Sequence, residues 1–197
     1  MHILFNNSKI DYSKYITTKY YKRGDIVFNE GDLCTSIGLV ESGAVQISTI
    51  TILENEYSIS TILADDIFAS TLLFSNHPYY LGFGRCLKET KIIFISKSNL
   101  IYLMQNDEAL LNNFLSFLAN KRLVAQERLK ILCQKSIREK ILFLLKSRMN
   151  QNHTIYFNSK EKLALYLNIP RPSLSRELIN MQRDNLITYD RKSITLL

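Results

Sequence analysis

The chain has 197 residues, of which 46% are hydrophobic, so it can bury a core and is long enough for one large domain or a domain and a half. No run of about 18 apolar residues occurs, and no basic segment followed by a long apolar one opens the chain, so we expect a cytoplasmic protein without a membrane span. Cys34, Cys86 and Cys133 lie far apart without metal-ligand spacing. This predicts reduced, packed thiols and neither a disulfide framework nor a metal site.

The net charge of +7 is concentrated in the second half of the chain. Residues 1–97 contain nine Lys or Arg and ten Asp or Glu, a net charge of −1, whereas residues 98–197 contain sixteen and eight, a net charge of +8. Such an excess favours binding to nucleic acid, because each phosphate that a protein neutralises releases condensed counterions. We therefore expect nucleic acid to contact the second half.

Residues 21–95 have the pattern of a β-protein. Short runs of β-branched and aromatic residues occupy 26–28, 37–40, 44–48, 58–63 and 91–96. Glycines at 24, 31 and 43 precede three of these runs, and each lies where a tight reversal is expected to require a positive φ. Regularly spaced short strands predict an all-β barrel or roll.

A helical pattern begins after Ser98, and its apolar positions recur at alternating spacings of three and four residues. This heptad spacing is typical of a helix that pairs with another helix. We predict that the helix forms a homodimer about a twofold axis; the alternative is a core helix in a monomer. The predicted dimer interface consists of Leu111, Leu115, Leu118, Arg122, Ala125, Leu129 and Leu132.

Signals for helix starts and turns follow in the last third of the chain. Residues 136–139, SIRE, have the form of a capping box and predict a new helix. Ser159 can cap a second helix, which ends near Asn168. Pro170 and Pro172 fit a helix only in its first turn, so a third helix is predicted to begin near Pro170.

This third helix has an apolar stripe and a polar face. The stripe consists of Leu174, Leu178 and Met181, while the other face carries Arg171, Ser173 and Arg176 near the exposed N-terminal end. Such a layout is typical of a helix that reads the major groove of DNA. Residues 186–189 and 193–196 then predict a small β-hairpin.

These elements resemble the winged helix-turn-helix of the Crp/Fnr transcription regulators, through residues 169–176, IPRPSLSR, and the following Asn-Leu-Ile. In the first half, Tyr-x-x-Gly-Asp-x-x-Phe-x-x-Gly-Asp and then Gly-x-Val resemble the start of the cyclic-nucleotide-binding β-roll. The resemblance implies an α+β fold with three parts. Residues 1–97 form an N-terminal β-roll, which is a jelly roll like that of cyclic-nucleotide-binding domains. Residues 98–134 form a long dimerisation helix and hinge, and residues 135–197 form a C-terminal winged helix-turn-helix. A generic β-barrel and a winged helix that only docks proteins are the alternatives.

The resemblance also implies that the protein binds a palindromic operator in double-stranded DNA. RNA polymerase is a possible further partner, and no membrane partner is expected. The predicted base contacts are Arg171, Ser173 and Arg176, since an arginine can bind guanine O6 and N7 bidentately. Pro172 stands where the family often has a Glu that accepts from cytosine, so the half-site should differ at that base pair. The predicted phosphate contacts, which set register rather than sequence, are Ser159, Lys160, Lys162, Arg191 and Lys192.

The family's phosphate cassette for cyclic nucleotides is altered in this sequence. The family pattern is Phe-Gly-Glu-x-x-Leu-Phe with a later arginine, where the Glu binds ribose and the Arg neutralises the cyclic phosphate. Residues 68–74, FASTLLF, place Ala69 at the Gly and Ser70 at the Glu, and the Arg position falls on Tyr80. We therefore expect no cAMP or cGMP binding and no other cofactor, although a shifted register would bring in Arg85. The predicted effector pocket, for a ligand of unknown identity, comprises Ser70, Thr71, Tyr80, Leu81 and Arg85.

No catalytic residues are predicted, because the sequence lacks the nucleophile-elbow, zinc-protease, phosphate-loop and dinucleotide patterns. The function that the sequence favours is a homodimeric, sequence-specific DNA-binding transcription regulator. The rival is a small-molecule sensor that acts through protein contacts and whose DNA domain is vestigial.

Overall fold

The computed structural model describes residues 3–52 and 54–197 of the chain. The chain forms two compact units, Met1–Ala119 and Asn120–Leu197. The first unit contains a β-roll and the second contains helices with a small sheet, so the predicted α+β class is confirmed. Among the helices of the described residues, none has the length and apolarity needed to cross a membrane.

The roll consists of two antiparallel sheets of four strands each in the described residues, ordered β1-β8-β3-β6 and β2-β7-β4-β5. The runs predicted from sequence are confirmed as β2, β3, β4, β5 and β8, whereas β1, β6 and β7 were not predicted. The strands are β1 Thr17–Tyr21, β2 Ile26–Phe28, β3 Ser36–Ser42, β4 Ala44–Ile50, β5 Glu56–Leu63, β6 Ile67–Phe68, β7 Phe83–Cys86 and β8 Thr90–Ser96.

The turn glycines and strand alternation shape this roll. Gly24, Gly31 and Gly43 have φ values of 92°, 83° and 100°, which confirms the predicted positive-φ reversals. Strand β3 buries Ile37 and Leu39 in one apolar cluster and Val40 in another. The two clusters together form the core of the N-terminal unit.

Two helices follow the roll, α1 at Lys97–Asn106 and α2 at Glu108–Leu132, and the predicted helix through residues 111–132 is confirmed as α2. Asp107 interrupts the helical backbone between them with an extended conformation. Its carboxylate accepts hydrogen bonds from the Leu110 N–H at 2.9 Å and from the Ser8 hydroxyl at 2.8 Å. Asp107 therefore caps α2 and holds the N-terminal segment.

The C-terminal unit contains α3 Ile137–Arg148, β9 Thr154–Tyr156, α4 Lys160–Leu167, α5 Arg171–Arg183, β10 Ile187–Tyr189 and β11 Ser193–Leu196. Both halves of the predicted capping box are present, between Ser136 and Glu139. The predicted hairpin is confirmed as β10 and β11, and β9 completes a sheet of order β10-β11-β9. The core combines residues from α2 through β11, among them Ile131, Leu145, Leu163, Leu178 and Ile194.

The cysteines are free thiols, and two of them are packed as predicted. Cys34 and Cys86 are buried in the roll. Cys133 is exposed, so the prediction of a packed thiol there was wrong. The reason is that Cys133 lies in the turn after the last residue of α2, beyond the buried Ile131.

Candidate DNA-binding surface and effector cleft

A three-residue turn connects α4 to α5, the helix that carries the predicted base contacts. Asn168 adopts the left-handed conformation with φ of 52°, and its N–H bonds back to Ala164 and Leu165. Asparagine tolerates this conformation better than most residues, because its short side chain makes local hydrogen bonds. Pro170 is extended, and α5 begins with Arg171 and Pro172, so the prolines occupy the first turn as predicted.

The faces of α5 are as the sequence predicts. Leu174, Leu178 and Met181 are completely buried and anchor the helix to the core. Arg176 is exposed on the opposite side, and Ser173 is half-buried. In the described parts of the chain, Arg176 has no ion-pair partner, so its guanidinium is available to a ligand.

Arg171 is already engaged by a carboxylate that the sequence pattern does not single out. Its Nε forms an ion pair with Glu161 Oε1 at 2.7 Å, with both side chains about 60% exposed. The pKa of Glu161 is lowered by hydrogen bonds from its own backbone N–H and from Ser159, and by the charge of Arg171. The pair uses Nε, so Nη1 and Nη2 of Arg171 are not part of it. The partners are ten positions apart in sequence, a spacing that gives no signal of contact, and the turn brings them together.

The predicted phosphate contacts lie on α4 and on the hairpin. Ser159 caps α4, where its Oγ accepts from the Lys162 N–H. The Lys160 ammonium lies 4.6 Å from the ring centroid of Tyr189 on β10 and so links α4 to the hairpin. At the hairpin turn, Asp190 accepts from two backbone N–H groups, which leaves the side chains of Arg191 and Lys192 exposed. These cations project from two elements of one unit.

Arg138 holds the C-terminal half of α5. Its Nε donates to Glu177 at 2.7 Å and its Nη2 to Asp184 at 2.8 Å. Glu177 lies within α5 and Asp184 follows its last residue, so this one guanidinium, from α3, holds the C-terminal half of α5. The N-terminal half carries the predicted base contacts.

A second polar cluster centres on Glu127 in the C-terminal part of α2. Its carboxylate accepts from Ser147 Oγ at 3.1 Å, Arg148 Nε at 2.9 Å and Tyr166 Oη at 3.1 Å. The hydrogen bond from Arg148 is the main cause of the lowered pKa of Glu127. Ser147 and Arg148 belong to α3 and Tyr166 to α4, so one side chain of α2 joins three helices.

The predicted dimer stripe of α2 is exposed for most of its length. Leu115 and Leu129 are 53% and 62% exposed, whereas Leu111 and Leu118 are half-buried. Arg122, Ala125 and Leu132 are exposed as well. Burying this stripe against a second helix would remove large apolar side chains from water.

The roll contains a cleft of about 520 Å³, which includes three of the five residues predicted for the effector pocket. Thr71, Tyr80 and Leu81 line the cleft, while Ser70 is buried elsewhere and does not line it. Arg85 does not line it either, because it pairs with Glu56 at 3.0 Å on the neighbouring part of the sheet. Sequence reasoning missed the other lining residues, which are Phe28, Ile47, Ile59, Ser60, Phe68, Ala69, Leu72, Ser75 and Gly82.

Tyr80 is held in the cleft wall by backbone and ring contacts. Its N–H donates to Asp32 at 3.0 Å and its carbonyl accepts from Gly31 at 2.8 Å. Its ring stacks on Phe28 with centroids 3.9 Å apart and planes 14° from parallel. Burial and the adjacent Cys34 thiol raise the pKa of Tyr80 far above its ordinary value, so the phenol is neutral.

The lining residues do not fit a cyclic nucleotide. Ala69 has a φ of 62°, the left-handed region that suits the glycine of the family pattern, which supports the register that places Ala69 at that glycine. In that register Tyr80 and Leu81 occupy the arginine position and its neighbour, and the described lining residues carry no formal charge. A cyclic phosphate here would lose water without gaining a cation, which is costly.

A family model supports the identity of the roll. Residues 18–107 match the model described as cyclic nucleotide-binding domain. No curated protein matches the chain significantly in sequence.

Solved structures share the fold over almost the whole chain. CprK in complex with OCPA is 14% identical with a TM-score of 0.67, and the match covers 94% of this chain and 89% of that one. CooA from Carboxydothermus hydrogenoformans is 17% identical with a TM-score of 0.66, covering 100% and 91%. The catabolite activator protein from Thermus thermophilus is 16% identical with a TM-score of 0.52, covering 99% and 93%. These similarities establish a common architecture.

Proposed function

We propose that the chain is a transcription regulator of the Crp/Fnr type, a homodimer that binds a palindromic operator in duplex DNA. The match of residues 18–107 to the cyclic nucleotide-binding domain model and the fold shared with CprK and the catabolite activator protein support this proposal. The proposal places the protein in the cytoplasm, with RNA polymerase as the machinery that it would regulate. It includes no catalytic step.

The observation that carries the proposal is the exposed Arg176, unpaired among the described residues, on a helix that is otherwise firmly anchored. The buried stripe and the Arg138 contacts hold α5 in place, while Arg176 is exposed on the face opposite the buried stripe. The surrounding unit supports a role with phosphates, since residues 120–197 contain sixteen basic and six acidic residues, a net charge of +10.

The exposed stripe on α2 supports the dimer. A twofold pair of α2 helices would bury Leu115 and Leu129 and would place two copies of α5 on one duplex. The half-sites of the operator would then be related by the same symmetry.

Selection from random duplex DNA with the purified full chain tests this function. We expect an enriched palindrome with half-site centres about 10 base pairs apart. Enrichment of no sequence would overturn the proposal and favour the rival, a sensor that acts through protein contacts. Sedimentation of the free protein tests the dimer independently.

We also propose that cAMP and cGMP are not the effectors, on the grounds that the described residues of the cleft offer neither a carboxylate for ribose nor a cation for phosphate. Isothermal titration with both nucleotides tests this point. Micromolar binding of either would contradict it.

A further inference from the structure

Aromatic rings that cannot shift easily form the floor of the cleft in the roll. Phe28 and Phe68 are only 6% and 3% exposed, and their ring centroids lie 5.5 Å apart. Each ring covers a glycine: a Cβ on Gly84 would come within 2.5 Å of the Phe28 ring, and a Cβ on Gly38 within 2.0 Å of the Phe68 ring. With Tyr80 stacked on Phe28, the floor is a fixed group of three aromatic rings.

The guanidinium of Arg85 is directed away from the cleft. Arg85 is the arginine that a shifted cassette would recruit, yet its guanidinium pairs with Glu56 and lies 5.1 Å from the centroid of Phe83. A ligand that carried a phosphate or a carboxylate would have to break that pair or remain uncompensated. The cleft therefore disfavours anions.

The polar groups of the cleft are hydroxyls. Ser60, Thr71 and Ser75 line it beside the apolar side chains of Ile47, Ile59 and Leu81. A few uncharged hydrogen-bonding groups on an apolar wall orient a ligand without requiring it to be charged. The volume of about 520 Å³ lies within the usual range for small-molecule sites.

We propose that the cleft binds a small, uncharged molecule with an aromatic face, which stacks against the floor of Phe28, Phe68 and Tyr80 and hydrogen-bonds to the hydroxyls. This inference deepens the proposed function by naming the class of ligand, and the role of that ligand as an effector rests on the proposed function. The binding itself depends only on the roll.

Two fluorescent probes of nearly the same shape test the charge preference on the full chain. N-phenyl-1-naphthylamine is uncharged, and 8-anilinonaphthalene-1-sulfonate adds a sulfonate. We expect saturable binding of the uncharged probe at micromolar concentration, at least about tenfold tighter than binding of the sulfonate at the same site. Cyclic AMP should not displace it.

A matched pair of variants on β5 locates the probe. Ile59 lines the cleft, whereas Tyr57, two residues along the same strand and of similar exposure, does not. Ile59→Trp should weaken binding of the uncharged probe about tenfold or more, and Tyr57→Trp should leave it within about twofold. Leu81→Trp, at an exposed position of the cleft wall, repeats the test if Ile59→Trp lowers the melting temperature.

Three results would overturn the inference: no saturable binding of the uncharged probe, tighter binding of the sulfonate at the Ile59-sensitive site, or equal losses in the Ile59 and Tyr57 variants. Failure of the DNA function has a different signature. A protein that binds the uncharged probe but enriches no operator would retain the cleft and lose the proposed regulatory role.

Discussion

Removing the side chain of Arg176 should abolish preference for the operator while leaving general attraction to DNA. Arg176 is exposed and has no ion pair in the described residues, so Arg176→Ala should change the free energy of unfolding by less than about 0.5 kcal/mol. A bidentate contact between arginine and guanine contributes about 1–3 kcal/mol of discrimination. A dimer would lose it in both half-sites, about 2–6 kcal/mol in total, which is a loss of at least about thirtyfold in affinity.

The assay compares dissociation constants on the selected operator and on a scrambled duplex across a range of salt concentrations. Arg176→Ala should bind the scrambled duplex within about twofold of the unmodified protein and keep its salt slope. Lys192→Ala is the matched control, since Lys192 is an exposed cation of the hairpin. It should weaken binding to both duplexes alike and reduce the slope by about 0.9 for each phosphate that the variant no longer neutralises. Equal losses on the two duplexes for Arg176→Ala would refute its assignment as a base contact.

Four further variants test the dimer and the fold. Asp107→Asn should lower stability by about 1–2 kcal/mol at neutral pH after allowance for solvent screening, because burial is outweighed by hydrogen bonds that lower the pKa of Asp107 from 3.8 to about 2. The difference should persist above about pH 4 and vanish as the pH falls towards 2. Leu129→Glu should give monomers in sedimentation, whereas Leu123→Glu, equally exposed but about 120° around the helix, should not. Gly38→Ala should lower stability by about 1–3 kcal/mol, because the new methyl overlaps the Phe68 ring.

Each of these variants has an outcome that contradicts its premise. A stability difference for Asp107→Asn that stays constant down to pH 2 would mean that the hydrogen bonds do not lower the pKa of the Asp107 carboxyl group in the folded protein. Dissociation of the Leu123→Glu protein alone would move the interface to another face of α2. Unchanged thermal melting of Gly38→Ala would show that Phe68 is free to move.

The helices of the C-terminal unit could be predicted because their ends carry local signals. Two prolines at the start of α5 and a capping box before α3 depend only on backbone chemistry within a few residues. Three of the five predicted strand runs had the same advantage, since the glycine turns at 24, 31 and 43 precede them. The division of the chain into residues 1–97, 98–134 and 135–197 stays a prediction.

The elements that escaped prediction depend on distant partners. Strand β1, TTKYY, has no alternation of apolar residues and is defined by its pairing with β8. The pairs Arg171 with Glu161 and Arg85 with Glu56 join residues ten or more positions apart. The cleft likewise collects Phe28, Ile59 and Tyr80 from separate strands and a loop, so its floor has no contiguous sequence pattern.

The cluster around Glu127 determines how this chain can be cut and joined. A C-terminal fragment that begins at residue 135 would keep Arg148 and Tyr166 but lose the carboxylate to which both bond. A fragment that begins at Asn120, where the second compact unit starts, retains that carboxylate and the buried Ile131. Chimaeras that combine this C-terminal unit with a foreign sensor should therefore be joined within α2, near Ala119, rather than in the loop after the helix.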